Sequence, residues 1–306
     1  MIDKTFVFGH QKPDTDSIAS AISMANLRNE LGENAECFRL GNVNKETAFA
    51  LKSFGVETPT LLEKVEEKSN VIMVDSNEFA QSVKGIENAN IKMVVDHHRI
   101  NLQTNDPLYY VAEPVGCTST IIYKLYKQND VEITPKMAGI MLSAIISDTL
   151  LFKSPTCTEE DKKIAQKLAD IAGVDMYEYG QNMLKAGTDI SDYTADEVIN
   201  IDCKPFEGNG VNFKISQVNS ADVNDVFKRK ADFEEAINKD IKENNLGLYV
   251  FVVTDILNAN SKIIALGDKT DVIEKAFGVE LDNNTALLEG VVSRKKQVLP
   301  KILENI

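Results

Sequence analysis

Histidine and aspartate residues that could bind metal ions are concentrated in a few short stretches of this 306-residue chain, which has only three histidines. They are His10, Asp14, Asp16, Asp75, Asp96, His97, His98 and Asp148. Carboxylates gathered in one place repel each other unless a cation neutralises them. Imidazole and carboxylate ligands without thiolates suit Mn²⁺, Mg²⁺, Co²⁺ or Zn²⁺. Because the acids outnumber the imidazoles, we expect two ions that share a bridging acid, as in two-metal hydrolases.

Most of these residues end or follow a short apolar run of the kind that forms a buried strand. The runs are TFVFG at 5–9, NVIMVD at 70–75 and KMVVDHH at 92–98. Amphipathic stretches between them predict helices, and the helix over 16–32 would be capped by Asp16 or Ser17. This alternation predicts a parallel sheet with right-handed crossovers. Such sheets bind ligands at the carboxyl ends of their strands, so we expect the site there, within reach of Asp148.

The rest of the chain predicts further helices and then a second, smaller domain. Helical patterns cover 46–55, 118–128, 135–147, 159–172 and 175–186. The fourth opens with TEED, a capping sequence, and stops at Gly173. After a polar linker near 188–195, strands are predicted at 211–218, 246–255 and 262–267, with one charged helix over 223–244. We therefore predict an N-terminal parallel-sheet domain and a C-terminal mixed-sheet α/β domain.

Composition limits the classes of function. The formal net charge is −14, which argues against a general nucleic-acid binder. No apolar stretch approaches the roughly 20 residues that span a bilayer, so we expect no membrane association. The opening residues do not resemble a secretory signal, and the four cysteines are scattered without a CxxC pair. We expect a cytoplasmic protein with reduced thiols.

A basic segment, VVSRKKQVLP at 291–300, stands out in this acidic chain. The arginine fork matches phosphate oxygens, and lysine adds a point charge. Arg294 and Lys295 could therefore hold a phosphate if the second domain folds over the metal edge. Lys204, in DCKPF, is a weaker candidate of the same kind.

Together these stretches resemble the family II inorganic pyrophosphatases, the manganese-dependent members of the DHH phosphoesterase superfamily. The resemblance rests on GHQKPDTDS at 9–17, VD at 74–75, DHH at 96–98, SDTLLFKSPT at 147–156 and SRKKQ at 293–297. It implies a DHH metal-binding catalytic domain over 1–188, a linker over 189–195 and a DHHA2-type substrate-binding domain over 196–306. It also implies an active site in the cleft between the domains and a homodimer formed by the N-terminal domains.

The resemblance further implies a role for each site residue. One metal would be bound by His10, Asp14 and Asp75, and the other by Asp16, Asp75, His97 and Asp148. Substrate would contact His98, Lys204, Arg294 and Lys295. Two Mn²⁺ or Co²⁺ ions per subunit, with Mg²⁺ arriving on the substrate, would hydrolyse pyrophosphate through a bridging hydroxide, and Asp75 and His98 would be the catalytic residues.

The sequence departs from the family pattern at Ser76, because many members read VDHNE where this chain reads VDSNE. An outer hydrogen bond to the metal site could change there. Other DHH phosphoesterases remain alternatives. The nuclease and dinucleotide branches typically carry a C-terminal GGGH-type motif, and this chain has no histidine after His98. An exopolyphosphatase stays open. A non-catalytic protein on the same scaffold would predict a damaged site, whereas every expected ligand is present.

Overall fold

The chain folds into two compact α/β units. The computed structural model describes residues 3–306. The first unit ends at Gly187, and the second runs Thr188–Ile306. The predicted fold class is confirmed, with a parallel sheet in the first unit and a mixed sheet in the second.

The first unit contains a six-stranded sheet flanked by helices. Its strands are β1 (Thr5–Phe8), β2 (Ala35–Arg39), β3 (Thr60–Leu61), β4 (Asn70–Val74), β5 (Asn90–Asp96) and β6 (Tyr109–Ala112). Its helices are α1 (Thr15–Glu30), α2 (Lys45–Ser53), α3 (Thr118–Gln128), α4 (Pro135–Asp148), α5 (Glu159–Ala172) and α6 (Met176–Gly187), with 3-10 turns at Phe79–Gln81 and Ile86–Asn88. All neighbouring strands are parallel.

The strand order β3-β2-β1-β4-β5-β6 places a topological switch point between β1 and β4. The chain leaves β1 toward one side of the sheet and resumes at β4 on the other side. The loops that follow these two strands therefore diverge and leave a crevice at their carboxyl ends. The sequence places HQKPDTD after β1 and Asp75 after β4, so both stretches lie at this crevice.

Burial fixes the strand ends that carry these loops. Val71, Met73 and Val94 pack with Phe8 in one buried cluster on the sheet. Fully burying a side chain of this kind contributes about 1.5–3 kcal/mol relative to leaving it exposed. Helix α4 is apolar and buried along most of its length. Within residues 3–306, no helix is both long and apolar enough to cross a membrane.

The second unit contains a five-stranded sheet in the order β11-β10-β9-β8-β7. Its strands are β7 (Cys203–Gly208), β8 (Val211–Ser220), β9 (Leu248–Asp255), β10 (Asn260–Leu266) and β11 (Thr285–Leu288). Its helices are α7 (Ala195–Asn200), α8 (Val223–Phe227), α9 (Lys230–Asn244), α10 (Asp271–Phe277) and α11 (Leu299–Asn305), with a π-helical turn at Arg294–Val298. Only β8 and β9 pair in parallel among these strands of the described chain. Alternate residues of β9 enter two separate apolar clusters, so the central strand is buried on both faces.

Two local predictions were wrong. The single helix over 223–244 is broken at Arg229, whose backbone leaves the helical region. Its guanidinium instead donates hydrogen bonds to the carbonyls of Ile190 and Tyr193. Helix α1 is capped by Asp14, which accepts from Ser17 N at 2.9 Å, and not by Asp16 or Ser17. The TEED sequence forms a capping box on α5, as predicted.

Candidate metal centre

The structure brings the predicted metal-binding residues of the first unit together at the switch point. The β1–α1 loop carries His10 and Asp14, α1 carries Asp16, and Asp75 follows β4. His97 and His98 follow β5, and Asp148 is the last residue of α4. Three groups could each hold a metal ion, with ligand atoms that all lie within 4.8 Å of one another. They are His10 with Asp14 and Asp75, then Asp16 with Asp75, His97 and Asp148, and then Asp75 with His97 and His98.

In the first group, the imidazole of His10 is oriented with its Nε2 atom toward the carboxylates of Asp14 and Asp75. Its Nδ1 lies 2.7 Å from the carbonyl of Gln11. A carbonyl only accepts, so Nδ1 carries the proton and Nε2 is left facing the acids. Nε2 lies 3.5 Å from Asp14 Oδ2 and 3.4 Å from Asp75 Oδ2. These three side chains therefore present one nitrogen and two oxygens to the same point.

In the second group, His97 is oriented in the same way. Its Nδ1 lies 3.0 Å from the carbonyl of Val115. Its Nε2 lies 3.5 Å from Asp75 Oδ1 and 3.8 Å from Asp148 Oδ2. The two oxygens of Asp75 thus face different groups, with Oδ2 toward His10 and Oδ1 toward His97. This is the arrangement expected of a bridging carboxylate between two ions.

The unsatisfied atoms of the site fit divalent cations. Asp75 Oδ2 is buried and has no hydrogen-bond partner within the described part of the chain. A neutral imidazole with its proton on Nδ1 cannot donate from Nε2 to a carboxylate oxygen. The lone pair of Nε2 would then face the lone pairs of the carboxylate oxygen. A cation bound between the two atoms removes this repulsion. Asp75 also adopts a left-handed backbone conformation, with φ 54°, which turns its carboxylate into the crevice.

The pKa values of the site follow from this crowding. Burial and the charge of Asp16 raise the pKa of Asp75 to about 6, and they raise the pKa of Asp148 well above its usual range. Burial lowers the pKa of His10, but Asp14 and Asp75 outweigh it and raise the value to about 11. Burial also lowers the pKa of His97, but the hydrogen bond and charge of Asp75 outweigh it and raise the value to about 9. Metal binding to such a cluster would release protons, because the ligands bind a cation in their deprotonated forms.

Asp16 is fully buried and holds the amino end of helix α3. Its Oδ2 accepts from Thr118 N at 2.7 Å, and its Oδ1 accepts from Ser119 N at 3.2 Å and from Ser20 Oγ at 2.7 Å. Cys117, the N-cap residue of α3, makes no side-chain capping bond. The carboxylate of Asp16 therefore caps a helix from another part of the chain, where the helix dipole favours negative charge.

Asp96 begins the DHH motif but belongs to none of the three groups among the described residues. It is fully buried and accepts from the backbone N–H of His98 at 3.0 Å and from Asn77 Nδ2 at 2.5 Å. Asn77 is bonded to Oδ2 of Asp96, whereas Oδ1 accepts from the His98 N–H and also lies 2.9 Å from His98 Nδ1. This bond fixes the His98 ring, whose side chain is 55% exposed, and leaves its Nε2 free toward solvent. Asp96 positions His98 and is not placed to bind a metal.

Glu46 is a site residue that sequence reasoning missed. Its Oε1 accepts from Thr15 Oγ1 at 2.8 Å and also from Ser147 Oγ. Thr15 lies between Asp14 and Asp16, and Ser147 precedes Asp148. Glu46 therefore ties together two chain segments that carry candidate ligands. It has no counterpart in the motifs, and no local pattern marks it, because its partners are distant in sequence.

Ser76, the departure from the family pattern, is buried beside the site. It lines a small cavity of about 170 Å³ together with His10, Asp75 and His98. Its Oγ accepts a long hydrogen bond, 3.4 Å, from the backbone N–H of Glu78. The first two groups contain every metal ligand that the family pattern implies, so serine at this position leaves the candidate ligands intact.

The predicted phosphate-binding cations lie in the second unit. Lys204 is exposed on β7, and Lys295 is exposed on the π-helical turn. The guanidinium of Arg294 is 2.9 Å from Asp202 Oδ1. The turn is held by two amides that the sequence did not single out. Gln217 Oε1 accepts from Arg294 N, and Gln297 Oε1 accepts from Ser293 N, both at 3.0 Å.

Comparison with known proteins agrees with this architecture. The model of the DHH family, N-terminal domain, matches residues 4–145, and that of the DHHA2 domain matches residues 181–305. The fold and the site thus define a DHH-family protein with a DHHA2 domain. The chain is 54% identical to the manganese-dependent inorganic pyrophosphatase of Bacillus subtilis, over 99% of both chains. It therefore belongs to the manganese-dependent inorganic pyrophosphatase family.

Two further relatives extend the similarity. A probable manganese-dependent inorganic pyrophosphatase of Shouchella clausii is 55% identical, over 99% of this chain and 98% of the relative. A crystal structure from Methanococcus jannaschii, provisionally assigned to the family II inorganic pyrophosphatases, is 41% identical. It covers 98% of this chain and 99% of its own, with a TM-score of 0.62.

Replacing the shared acid should disturb both metal positions. We expect Asp75→Asn to bind both Mn²⁺ ions at least about tenfold more weakly, because one oxygen of Asp75 faces each of the first two groups. Asp14→Asn, which alters only the first group, should weaken one ion and spare the other. Equilibrium dialysis with metal analysis measures both. Two ions bound with unchanged affinity in Asp75→Asn would contradict the bridging arrangement.

Proposed function

We propose that this chain hydrolyses inorganic pyrophosphate to two phosphates. The observation that carries the proposal is Asp75, whose two oxygens face two separate sets of candidate ligands. Two metals held 3.5–4 Å apart are typical of enzymes that cleave phosphate esters and anhydrides. Membership of the pyrophosphatase family selects the substrate from that wider class.

We propose Mn²⁺ as the resident metal, or Co²⁺, with two ions per chain. His10, Asp14 and Asp75 would hold one ion, and Asp16, Asp75, His97 and Asp148 would hold the other. When bound, the ions would acidify a water for attack on phosphorus and offset the charge of the substrate. Mg²⁺ would enter with pyrophosphate. Carboxylate and imidazole donors without thiolate suit these ions.

Other residues of the chain would bind and orient the substrate. His98 is fixed through Nδ1 by Asp96, so its exposed Nε2 can hydrogen-bond the bridging or leaving phosphoryl oxygen. Arg294, Lys295 and Lys204 would bind phosphoryl oxygens and stabilise the charge that develops in the transition state. We propose the first unit as the catalytic domain and the second as the substrate-binding domain. Because all four cysteines are free thiols, we also propose a cytoplasmic location.

Phosphate release provides the direct test of the activity. After chelation and preincubation with Mn²⁺, the chain should release phosphate from pyrophosphate in the presence of Mg²⁺, and without Mn²⁺ the rate should fall at least about tenfold. Tripolyphosphate and a dinucleotide such as pApA are the comparison substrates. A higher kcat/KM for tripolyphosphate would indicate an exopolyphosphatase instead. Hydrolysis of the dinucleotide alone would overturn the proposal.

Loss of one cation in the second unit should affect substrate use and leave metal binding unchanged. We expect Lys295→Ala to lower kcat/KM for pyrophosphate about tenfold or more, because a charged contact to phosphate is lost. Its Mn²⁺ content should stay at two ions per chain. Lys275→Ala is the matched control, since this lysine is exposed and, within residues 3–306, pairs only with Asp271 on its own helix. A Lys295→Ala variant with wild-type kcat/KM would exclude a substrate contact for this lysine.

We propose a homodimer formed by the first unit. Strand β6 is an edge of the parallel sheet, and Tyr109 on it is 57% exposed. Unpaired edge strands can add a second chain. Light scattering should give twice the 33.9 kDa chain mass, and Tyr109→Lys should shift it toward the monomer. Leu61→Lys on the opposite edge strand, β3, is the control and should stay dimeric. Loss of the dimer in the control alone would reject β6 as the contact.

A further inference from the structure

Asp161 is a fully buried carboxylate that none of the three candidate metal groups includes. Its Oδ2 accepts from the backbone N–H and the hydroxyl of Thr158, at 2.7 and 2.6 Å, within the capping box of α5. The same oxygen accepts from Gly116 N at 2.9 Å, and Oδ1 accepts from Thr120 Oγ1 at 2.6 Å. Two of these four bonds serve helix α5, one reaches Gly116 in the loop between β6 and α3, and one reaches Thr120 in the first turn of α3.

Residues 113–120, called here the 113–120 segment, comprise the loop after β6 and the first residues of α3. This segment contacts ligands of the second candidate metal group. The carbonyl of Val115 orients His97 through Nδ1. The N–H of Thr118 binds Asp16, and its hydroxyl lies 3.2 Å from Asp75 Oδ1. Gly116 and Thr120, which Asp161 holds, alternate along the segment with these contacting residues. A shift of Gly116 would therefore move the groups that orient the metal ligands.

Packing leaves the segment little room to find another position. A Cβ atom built on Gly116 would lie 2.9 Å from Asp161 Oδ2 and 3.0 Å from Thr149 Cγ2. Thr149 follows Asp148, another candidate ligand. Gly116 is thus enclosed between the carboxylate of Asp161 and the side chain of Thr149, the residue that follows α4. A larger residue at this position would displace Asp161 or Thr149.

We propose that Asp161 is a positioning residue for one of the two metal sites, the one formed by Asp16, Asp75, His97 and Asp148. It acts through the 113–120 segment and touches neither metal nor substrate. The inference rests on the proposed dinuclear site but not on the identity of the substrate. Groups bonded directly to a metal ligand change metal affinity by about 10–100-fold. Asp161 lies one step further out, so we expect an effect at the lower end of that range. The site of His10 and Asp14 has no bond to this segment among the described residues, apart from its shared ligand Asp75.

The capping role of Asp161 provides the matched control. Thr158→Ala removes the hydroxyl that caps α5 and keeps the bonds from Asp161 to Gly116 and Thr120. Asp161→Ala removes both sets of bonds. A merely structural role predicts that the two variants affect metal binding equally. A positioning role predicts that only Asp161→Ala weakens it.

The test measures Mn²⁺ binding to the full chain after chelation, without pyrophosphate. Free Mn²⁺ is followed by its electron paramagnetic resonance signal during titration. In wild type we expect two ions. In Asp161→Ala we expect one ion to bind about tenfold more weakly and the other to change less than about twofold. Repeating the titration in an Asp14→Asn background, where only the second site is intact, should show the full loss.

If circular dichroism shows that Asp161→Ala does not fold, the same titration is carried out on a second variant, Asp161→Asn. Asp161→Asn can still accept from Gly116 and donate to Thr120, but through weaker neutral bonds, so we expect a loss of roughly threefold at the same site. Equal weakening of both ions, or equal effects of Thr158→Ala and the Asp161 variants, would overturn the inference. A wild-type chain that binds two ions but does not hydrolyse pyrophosphate would reject the proposed function and leave this inference standing.

Discussion

Repulsion between buried carboxylates at the end of the parallel sheet is the constraint on which the rest of the site depends. Asp16, Asp75 and Asp148 offer oxygens within 4.8 Å of one another and of His97. Such a cluster is stable only with compensating positive charge, from protons or from metal ions. In the surrounding structure, N–H groups of helix α3 donate hydrogen bonds to Asp16, and the Nε2 atoms of His10 and His97 face Asp75.

The fold supplies the rigidity that holds like charges together. The ligands come from loops at the ends of β1, β4 and β5, from the first turn of α1 and from the last residue of α4. These elements are anchored in the apolar core. A second layer of polar residues fixes the loops themselves. Glu46 joins the segments before Asp16 and Asp148, and Asp96 sets the ring of His98. These bonds restrict the loops that carry the ligands, which lowers the cost of ordering the ligands around a cation.

The candidate metal ligands could be predicted from the sequence, whereas the residues that support these ligands could not. Apolar runs marked β1, β4 and β5 because these strands are buried on both faces, and parallel-sheet topology then implied that their ends meet. The short and partly exposed strands β2, β3 and β6 gave no such signal. Asp161 was visible only as part of a helix cap, because its other partners, Gly116 and Thr120, lie more than forty positions earlier. Long-range hydrogen bonds of this kind leave no periodicity in one sequence.

The wide separation of the candidate ligands along the chain has a thermodynamic consequence. Residues from 10 to 148 meet at one centre, so the complete set of donors exists only when most of the first unit is folded. Any cation held there favours the native state over the unfolded chain by mass action. All candidate groups in the described residues lie in this unit, so chelation acts on its melting and not directly on that of the second unit. Added Mn²⁺ would then raise the melting temperature of the first unit and leave that of the second unit unchanged.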